Sequence, residues 1–255
     1  MTTILHYMFS GNSKIIGLAL AFLAGVAILF FIVSQGKGNS SSEKSPASWA
    51  PSSDESTSFH AVPASASSCE MGQFVTFGRY PQNNGDTPDP IEWLVLDKDD
   101  DTALLISRFG MDCKPFHPKP VAVSWRDCDL RKWLNDDFLR CAFSADEQNR
   151  IAESTINMGD SLSDNDRGEI RDKLFCLSIE EAENFFETDI ARKCQPTVYA
   201  VSHNAKPNNC WYWLRSPGGN ATGSAFVGGG GSVLSIGVVV SRNDIAVRPA
   251  LRIKL

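Results

Sequence analysis

An unbroken run of 19 uncharged, mostly apolar residues at positions 15–33, IIGLALAFLAGVAILFFIV, confines any independent globular fold to the chain that follows it. As a helix this run rises about 28 Å, the thickness of a bilayer's hydrocarbon core. A secretory signal carries a shorter apolar region of about 7–15 residues and then a small-residue cleavage site. Val33-Ser34-Gln35-Gly36 is a poor match to such a site, and the first downstream cysteine, Cys69, is too distant to take a lipid. The run reads as an uncleaved transmembrane anchor behind a short tail, residues 1–14. Lys14 lies before it and Lys37 and Lys44 after it, so the positive-inside count is nearly balanced. A short tail ahead of a single anchor ordinarily stays in the cytoplasm, which places the rest of the chain on the extracytoplasmic side.

Residues 34–68 are rich in Ser, Ala and Pro and poor in apolar side chains. Such a segment cannot bury enough surface to offset ordering entropy, and a disordered linker is expected there. The folded domain is therefore expected at residues 70–255. Lys14, Lys37 and Lys44 cancel Glu43, Asp54 and Glu55, so the formal charge of −6 belongs wholly to that domain. A mildly acidic domain without clustered Lys/Arg excludes a general nucleic-acid binder.

Short strand-like runs open the domain at 74–80, 91–96 and 103–107. The Asp-rich stretch 97–101 has no EF-hand spacing and reads as a hairpin tip. Leu130, Trp133, Leu134, Phe138 and Cys141 form one apolar helical face over 129–141. Ser144 with Glu147 and Ser178 with Glu181 have the spacing of capping boxes that open two further helices. From Trp211 onward the chain reads as short strands joined by Gly-rich turns. Strands at both ends with helices between predict an α+β fold with a mixed, mainly antiparallel sheet and a few short helices.

The C-terminal end brackets a Gly/Ser/Asn-rich middle between two aromatic and arginine blocks, 210–218 and 247–255. Trp211, Trp213, Arg215, Arg248 and Pro249 are expected as structural frame, the arginines pinning loops through internal acids or carbonyls. The expected ligand surface is Tyr212, Asn220, Ser224, Ser232, Ser235, Arg242, Asn243 and Asp244. Residues 228–231 lack the Gly-Lys-Ser/Thr ending of a phosphate loop and read as a hairpin turn. His117 and His203 sit in loops with no hydrolase signature around them, and Asn220-Ala-Thr222 is a glycosylation sequon only in a glycosylating host.

All seven cysteines lie beyond the anchor. Cys113 with Cys128 and Cys194 with Cys210 each enclose a short loop and are the candidate disulfides; the alternative is buried free thiols, with Cys141 and Cys176 the best examples. No Cys-x-x-Cys or His-x₃₋₅-His spacing points to structural zinc, and neither a metal nor a cofactor is expected.

These blocks together resemble a bacterial domain family of uncharacterised function. The matching segments include Phe74-Val75-Thr76-Phe77-Gly78-Arg79-Tyr80-Pro81-Gln82, Pro90-Ile91-Glu92-Trp93-Leu94-Val95-Leu96 and Leu130-Arg131-Lys132-Trp133-Leu134-Asn135. They continue with Leu177-Ser178-Ile179-Glu180-Glu181-Ala182, Trp213-Leu214-Arg215-Ser216-Pro217-Gly218 and Val247-Arg248-Pro249-Ala250-Leu251. The resemblance spans nearly all of 70–255 and implies the C-type-lectin-like fold of formylglycine-generating enzymes and retroelement variable proteins. It implies display or binding more than catalysis. Lys206-Pro207-Asn208 lacks the acid of calcium-dependent sugar sites, and no motif of the copper-binding, formylglycine-generating branch surrounds Cys210. The resulting expectation is a membrane-anchored module for an extracytoplasmic glycan, peptide or protein ligand. The alternatives are a cysteine-dependent enzyme of the formylglycine-generating type and a purely structural envelope protein.

Overall fold

The last strand of the chain lies inside its largest sheet, paired along both edges, and the architecture is organised around it. In a computed structural model, the described residues are 60–61, 69–84, 87–157 and 168–255. The expected anchor at 15–33 and nearly all of 34–68 lie outside them. Among the described residues no helix is long and apolar enough to cross a membrane.

In chain order the strands are β1 (His60–Ala61), β2 (Phe74–Tyr80), β3 (Asp89–Lys98), β4 (Thr102–Ser107) and β5 (Asp112–Cys113). A helical stretch follows, made of α1 (Asp129–Trp133), a π turn (Leu134–Phe138) and α2 (Leu139–Ala142), and then α3 (Ala145–Arg150). Next come β6 (Ile151–Ala152), β7 (Ser154–Asn157), β8 (Glu169–Asp172) and β9 (Leu174–Phe175), then α4 (Ile179–Asn184), α5 (Asp189–Arg192) and α6 (Val198–Ser202). The chain closes with β10 (Tyr212–Pro217), β11 (Gly223–Val227), β12 (Val233–Val239), β13 (Ala246–Val247) and β14 (Ala250–Lys254). This is a mixed α+β fold with mainly antiparallel sheets and short helices. β1 falls within the segment expected to be linker, and pairs in parallel with Val75 and Thr76.

The larger sheet runs β1-β2-β3-β4-β14, and β6 and β9 share the far edge of β14. Both edges of β14 are thus paired, and Ala250, Leu251 and Ile253 are buried. The smaller sheet runs β12-β11-β10-β13-β5, with only the β10–β13 pair parallel; β7 and β8 form a separate hairpin. Two strand pairs carry the chain from one sheet to the other: β4 with β14, and β5 with β13. Ser107 N–H donates to Pro249 O at 2.9 Å and Met111 N–H to Val247 O at 2.8 Å, so hydrogen bonding continues across the junction.

Three fully buried tryptophans stiffen this frame, each with its indole N–H bonded. Trp93 donates to Phe77 O (2.7 Å), Trp125 to Asp172 Oδ2 (2.9 Å) and Trp213 to Lys114 O (2.9 Å). Unmade, each such bond would leave a buried donor stranded at a cost of about 1–3 kcal/mol. The Asp-rich tip between β3 and β4 is built by Asp99, whose carboxylate accepts from Asp101 N–H (2.9 Å) and Thr102 N–H (2.7 Å).

The helical face over 129–141 departs from its sequence pattern after Phe138. The Asn135 amide donates to Arg131 O (3.1 Å), the carbonyl an α-helix would offer to residue 135's own N–H, and to Leu174 O on β9 (2.8 Å). The stretch widens into a π turn there, which advances the buried face by one residue. Leu139 and Ala142 are buried in consequence, and Cys141, expected in the core, is exposed. Cys176, expected there too, is fully buried.

A bulge at Gly78 shifts the register of β2 on β3 and turns both Phe77 and Tyr80 inward. Gly78 has φ +72°, and a Cβ there would lie 2.7 Å from Ala142 O and 2.5 Å from the Phe143 ring. Gly78→Ala is expected to destabilise the domain by about 2–4 kcal/mol, adding left-handed strain to a backbone clash. Chemical denaturation measures this; an unchanged midpoint would refute the account of the bulge.

Candidate functional site

A cleft of about 600 Å³ opens where the smaller sheet meets α4 and the β7–β8 hairpin. That volume lies within the range of small-molecule sites. One wall is Ser178 to Glu181 and Glu183 with Arg215 and Ser216, the opposite wall is Thr155 and Asn157 of β7, and Val123, Phe116 and Trp125 are among the residues between them. Phe116 packs between Trp125 (5.9 Å) and Trp213 (5.7 Å) and joins the floor to the core.

The first wall is built by a helix start. Ser178 caps α4: its hydroxyl accepts from Glu181 N–H (3.0 Å) while the Glu181 carboxylate accepts from Ser178 N–H (3.0 Å). The same carboxylate takes a two-pronged bond from Arg215, through Nη2 at 2.6 Å and through Nη1. Arg215 Nη1 also donates to Cys176 O at 2.9 Å, and the guanidinium lies over the Phe175 ring at 5.6 Å. Ser216 Oγ accepts from Ile179 N–H (2.9 Å), fastening α4 to β10. Ser224 Oγ donates to Leu214 O (3.0 Å) on the neighbouring strand. These groups are satisfied internally and hold the wall rigid, whereas Glu180 and Glu183 are exposed and make the rim acidic.

The residues expected as ligand surface scatter. Tyr212 is 1% exposed and donates its hydroxyl to Arg192 O (2.9 Å), and Ser224 is also 1% exposed, so neither forms part of an outer surface. Strand β10 is covered on both faces from Tyr212 to Arg215, which removes the exposed face that alternation implied for Tyr212. Of the eight, Ser224 alone lines the cleft. Ser232 is exposed but bonds Asp189 (2.7 Å), and Asn220 closes its own turn on Thr222. Ser235 and Asn243 are exposed. The turn at 228–231 is docked, because a Cβ on Gly231 (φ +92°) would meet Asp189 O at 1.6 Å.

Arg242 and Asp244 gather around Trp211, which is half-buried against Phe226 (5.0 Å). Lys206 (4.6 Å) and Arg242 (5.0 Å) lie over its ring, and Asp244 bonds both cations. The Arg242 guanidinium beside Asp244 holds its carboxyl below the ordinary value, against the opposing effect of burial. Trp213 and Pro249 are buried, and Arg215 and Arg248 bond internal groups.

Other chemistry-bearing groups lie away from the cleft. Buried Asp112 accepts from Tyr80 Oη (2.9 Å) and pairs with His203 Nδ1 (2.8 Å). No hydroxyl or thiol nucleophile is bonded to His203 among the described residues. Cys113 Sγ faces Asn243 O and Ile245 O, while Cys128 Sγ faces Trp125 O and Arg131 N–H, so this expected disulfide pair is not brought together. Burial pushes both thiols up, each to about 12. Cys194 and Cys210 do adjoin, but at 2% and 0% exposure they are closed to a substrate, unlike the open cysteine site that formylglycine chemistry needs. Among the described residues no group of three or more His, Cys, Asp or Glu could hold a metal ion.

Sequence reasoning found the Ser178–Glu181 box but missed that Glu181 serves Arg215. The pattern of one acid completing a cap, with a buried arginine on a later strand, was the available signal. Thr155, Asn157, Glu180 and Glu183 carried none, because only tertiary folding brings the hairpin opposite α4.

Glu181→Ala is expected to destabilise the fold by about 2–3 kcal/mol. This is less than the about 3–5 kcal/mol for fully buried pairs, because the Glu181 side chain keeps 29% exposure. Equilibrium unfolding checks it, and a loss below about 0.5 kcal/mol, the range of ordinary surface changes, would contradict the assigned role. For Asp244 the folded carboxyl titrates below 3.8, so the stability it gains from Arg242 is present above that value and fades as pH falls through the folded midpoint. NMR titration is expected to show this low midpoint, and Arg242→Ala to return it toward 3.8.

A comparison with curated proteins and one with solved structures both find no match to the chain. Residues 100–255, from the β3–β4 turn to the C-terminus, match a protein family, leaving β1, β2 and β3 outside the match. The chain belongs to the family described as Domain of unknown function (DUF6273).

Proposed function

We propose that residues 70–255 form a membrane-anchored, extracytoplasmic ligand-binding or display module of C-type-lectin-like architecture, with the cleft between α4 and β7 as its binding site. The apolar run at 15–33 and the Ser/Pro/Ala-rich segment behind it support the anchored, exported arrangement. The mixed, mainly antiparallel fold is compatible with the lectin-like architecture that the sequence blocks imply.

The observation that carries the binding reading is the cleft wall. Arg215, Glu181 and Ser178 spend their hydrogen bonds on one another and on the main chain, and Ser216 accepts from Ile179 N–H, so a ligand meets a preformed surface and little ordering cost is left to binding. The acidic rim of Glu180 and Glu183 opposes phosphate and other anions. It favours a neutral, hydroxyl-rich or a cationic small ligand, such as a sugar unit of a glycan or a basic peptide side chain.

Glycan and peptide arrays probed with the purified chain are expected to return ligands of this class. Thr155→Trp, which fills the cleft from an exposed position without touching its frame, is expected to weaken that binding at least tenfold while leaving the thermal midpoint unchanged. Binding that survives Thr155→Trp undiminished would remove the cleft from consideration.

A further inference from the structure

Two cysteines and an arginine meet at the junction of the two sheets, and the cleft uses none of them. Cys194 follows α5 and Cys210 precedes β10. The Cys210 N–H donates to the Cys194 carbonyl at 2.9 Å, and the Cys210 Sγ lies 3.4 Å from the same oxygen. This backbone bond sets the two main chains side by side, and the two thiols lie within hydrogen-bonding reach of each other. A disulfide spans about 4.4–6.8 Å between Cα atoms. Cys194 Sγ also faces Gln195 O (3.5 Å) and Arg108 O (3.9 Å), as Cys113 and Cys128 face carbonyls of their own surroundings, but Cys113 and Cys128 have no backbone bond to each other.

In the folded chain Arg248 lies beside the pair. It is buried at 4% exposure, and its bonds run to neutral groups: Ser107 O (3.0 Å), Arg192 O (3.3 Å) and Tyr212 Oη (3.3 Å). No carboxylate pairs with it among the described residues. Burial works against ionisation of Cys194, but the hydrogen bond from the Cys210 thiol, the Arg248 charge and the Gly110 N–H outweigh it and bring that thiol down. Cys210 is pushed up, first by its bond to Cys194 and then by burial.

We propose that Cys194 and Cys210 join in a disulfide when the chain folds in an oxidising compartment, closing the 194–210 segment at the sheet junction. The oxidant is a disulfide-bearing exchange partner. The Cys194 thiolate attacks it and forms a mixed disulfide, releasing one partner thiolate, which takes up a proton. Cys210, on losing its proton, attacks Cys194 Sγ and expels the second partner sulfur as a thiol. Two cysteine thiols and one partner disulfide thus become one protein disulfide and two partner thiols.

A Cβ on Gly110 would stand 3.0 Å from Cys210 Sγ, so the pair is sealed in the folded chain and exchange occurs while the segment is still open. The closed segment carries α6 and His203, which pairs with Asp112. The inference draws on the exported orientation for its oxidant and is independent of what the cleft binds.

The test refolds the purified full-length chain in oxidised and reduced glutathione, alkylates it under denaturing conditions and maps its peptides by mass spectrometry with and without reductant. The expected result is one cross-linked pair, Cys194 with Cys210, the other five cysteines being alkylated. The oxidised chain is expected to melt roughly 6–12 °C above the reduced one. That difference is expected to vanish in the doubly substituted Cys194→Ser, Cys210→Ser chain. Free Cys194 and Cys210 in the refolded chain, or a bridge from either to another cysteine, overturns the proposal. Should the doubly substituted chain fail to fold, the peptide map of the unaltered chain decides alone.

Discussion

The rest of the molecule depends on Arg248 and Pro249, where the chain leaves the smaller sheet and enters the larger one. A strand that changes sheets interrupts its own ladder, and the orphaned carbonyls need donors at a place water does not reach. Arg248 supplies them, reaching Ser107 O on β4 and Arg192 O at the end of α5 from one guanidinium. Its plane also lies over Tyr212 (5.1 Å) and Phe186 (5.4 Å), so the charge is met by ring faces and sulfur instead of a carboxylate. Pro249 takes no part as a donor, and its carbonyl accepts Ser107 N–H, so the proline breaks nothing at the crossing.

The cleft follows from this junction at one remove. β14 is placed by the crossing, and β9 pairs with its first two residues, which fixes Leu174 and Phe175. Cys176 and Leu177 then bond Arg215 from the main chain, and Ser178 starts α4 directly afterwards. The acid that completes the helix cap therefore arrives beside the arginine of β10. The opposite wall is fixed by the same segment. Asp172 at the end of β8 accepts from Trp125 Nε1 and from Arg131 Nε (2.7 Å), tying the hairpin to both the cleft floor and α1. Desolvation pushes the Asp172 carboxyl up despite these donors, the mark of a group kept for its geometry.

Local patterns in the sequence were readable where the physics is local. The β2, β3 and β4 runs, the Asp-rich tip and both capping boxes depend on alternation, turn chemistry and side chains three residues apart, and each forms at its expected place. What could not be read depends on partners distant in sequence. Cys141 faces solvent because Asn135 bonds a strand some 40 residues later and widens the helix. Tyr212 is buried because Arg192 and Arg248 cover a face that alternation leaves open. The cleft draws on segments around residues 120, 155, 180 and 215, and no window of sequence contains two of its walls.

This changes where recognition is to be sought. Gly- and Ser-rich loops suggest adaptable surface, yet here their polar groups are largely spent on the fold. Gly231 rests on Asp189, Ser232 bonds the same residue and Asn220 closes its own turn. A loop whose hydroxyls and amides already have partners must break those bonds to serve a ligand, which returns little net energy for each exchange. Glu180 and Glu183 on the cleft rim are exposed and outside such a network, so a ligand that reaches them gains bonds without dismantling any. On the proposed binding reading, selectivity rests on a few acids at the mouth of a rigid cleft, and the glycine-rich turns act as the spacers that let neighbouring backbones close on one another.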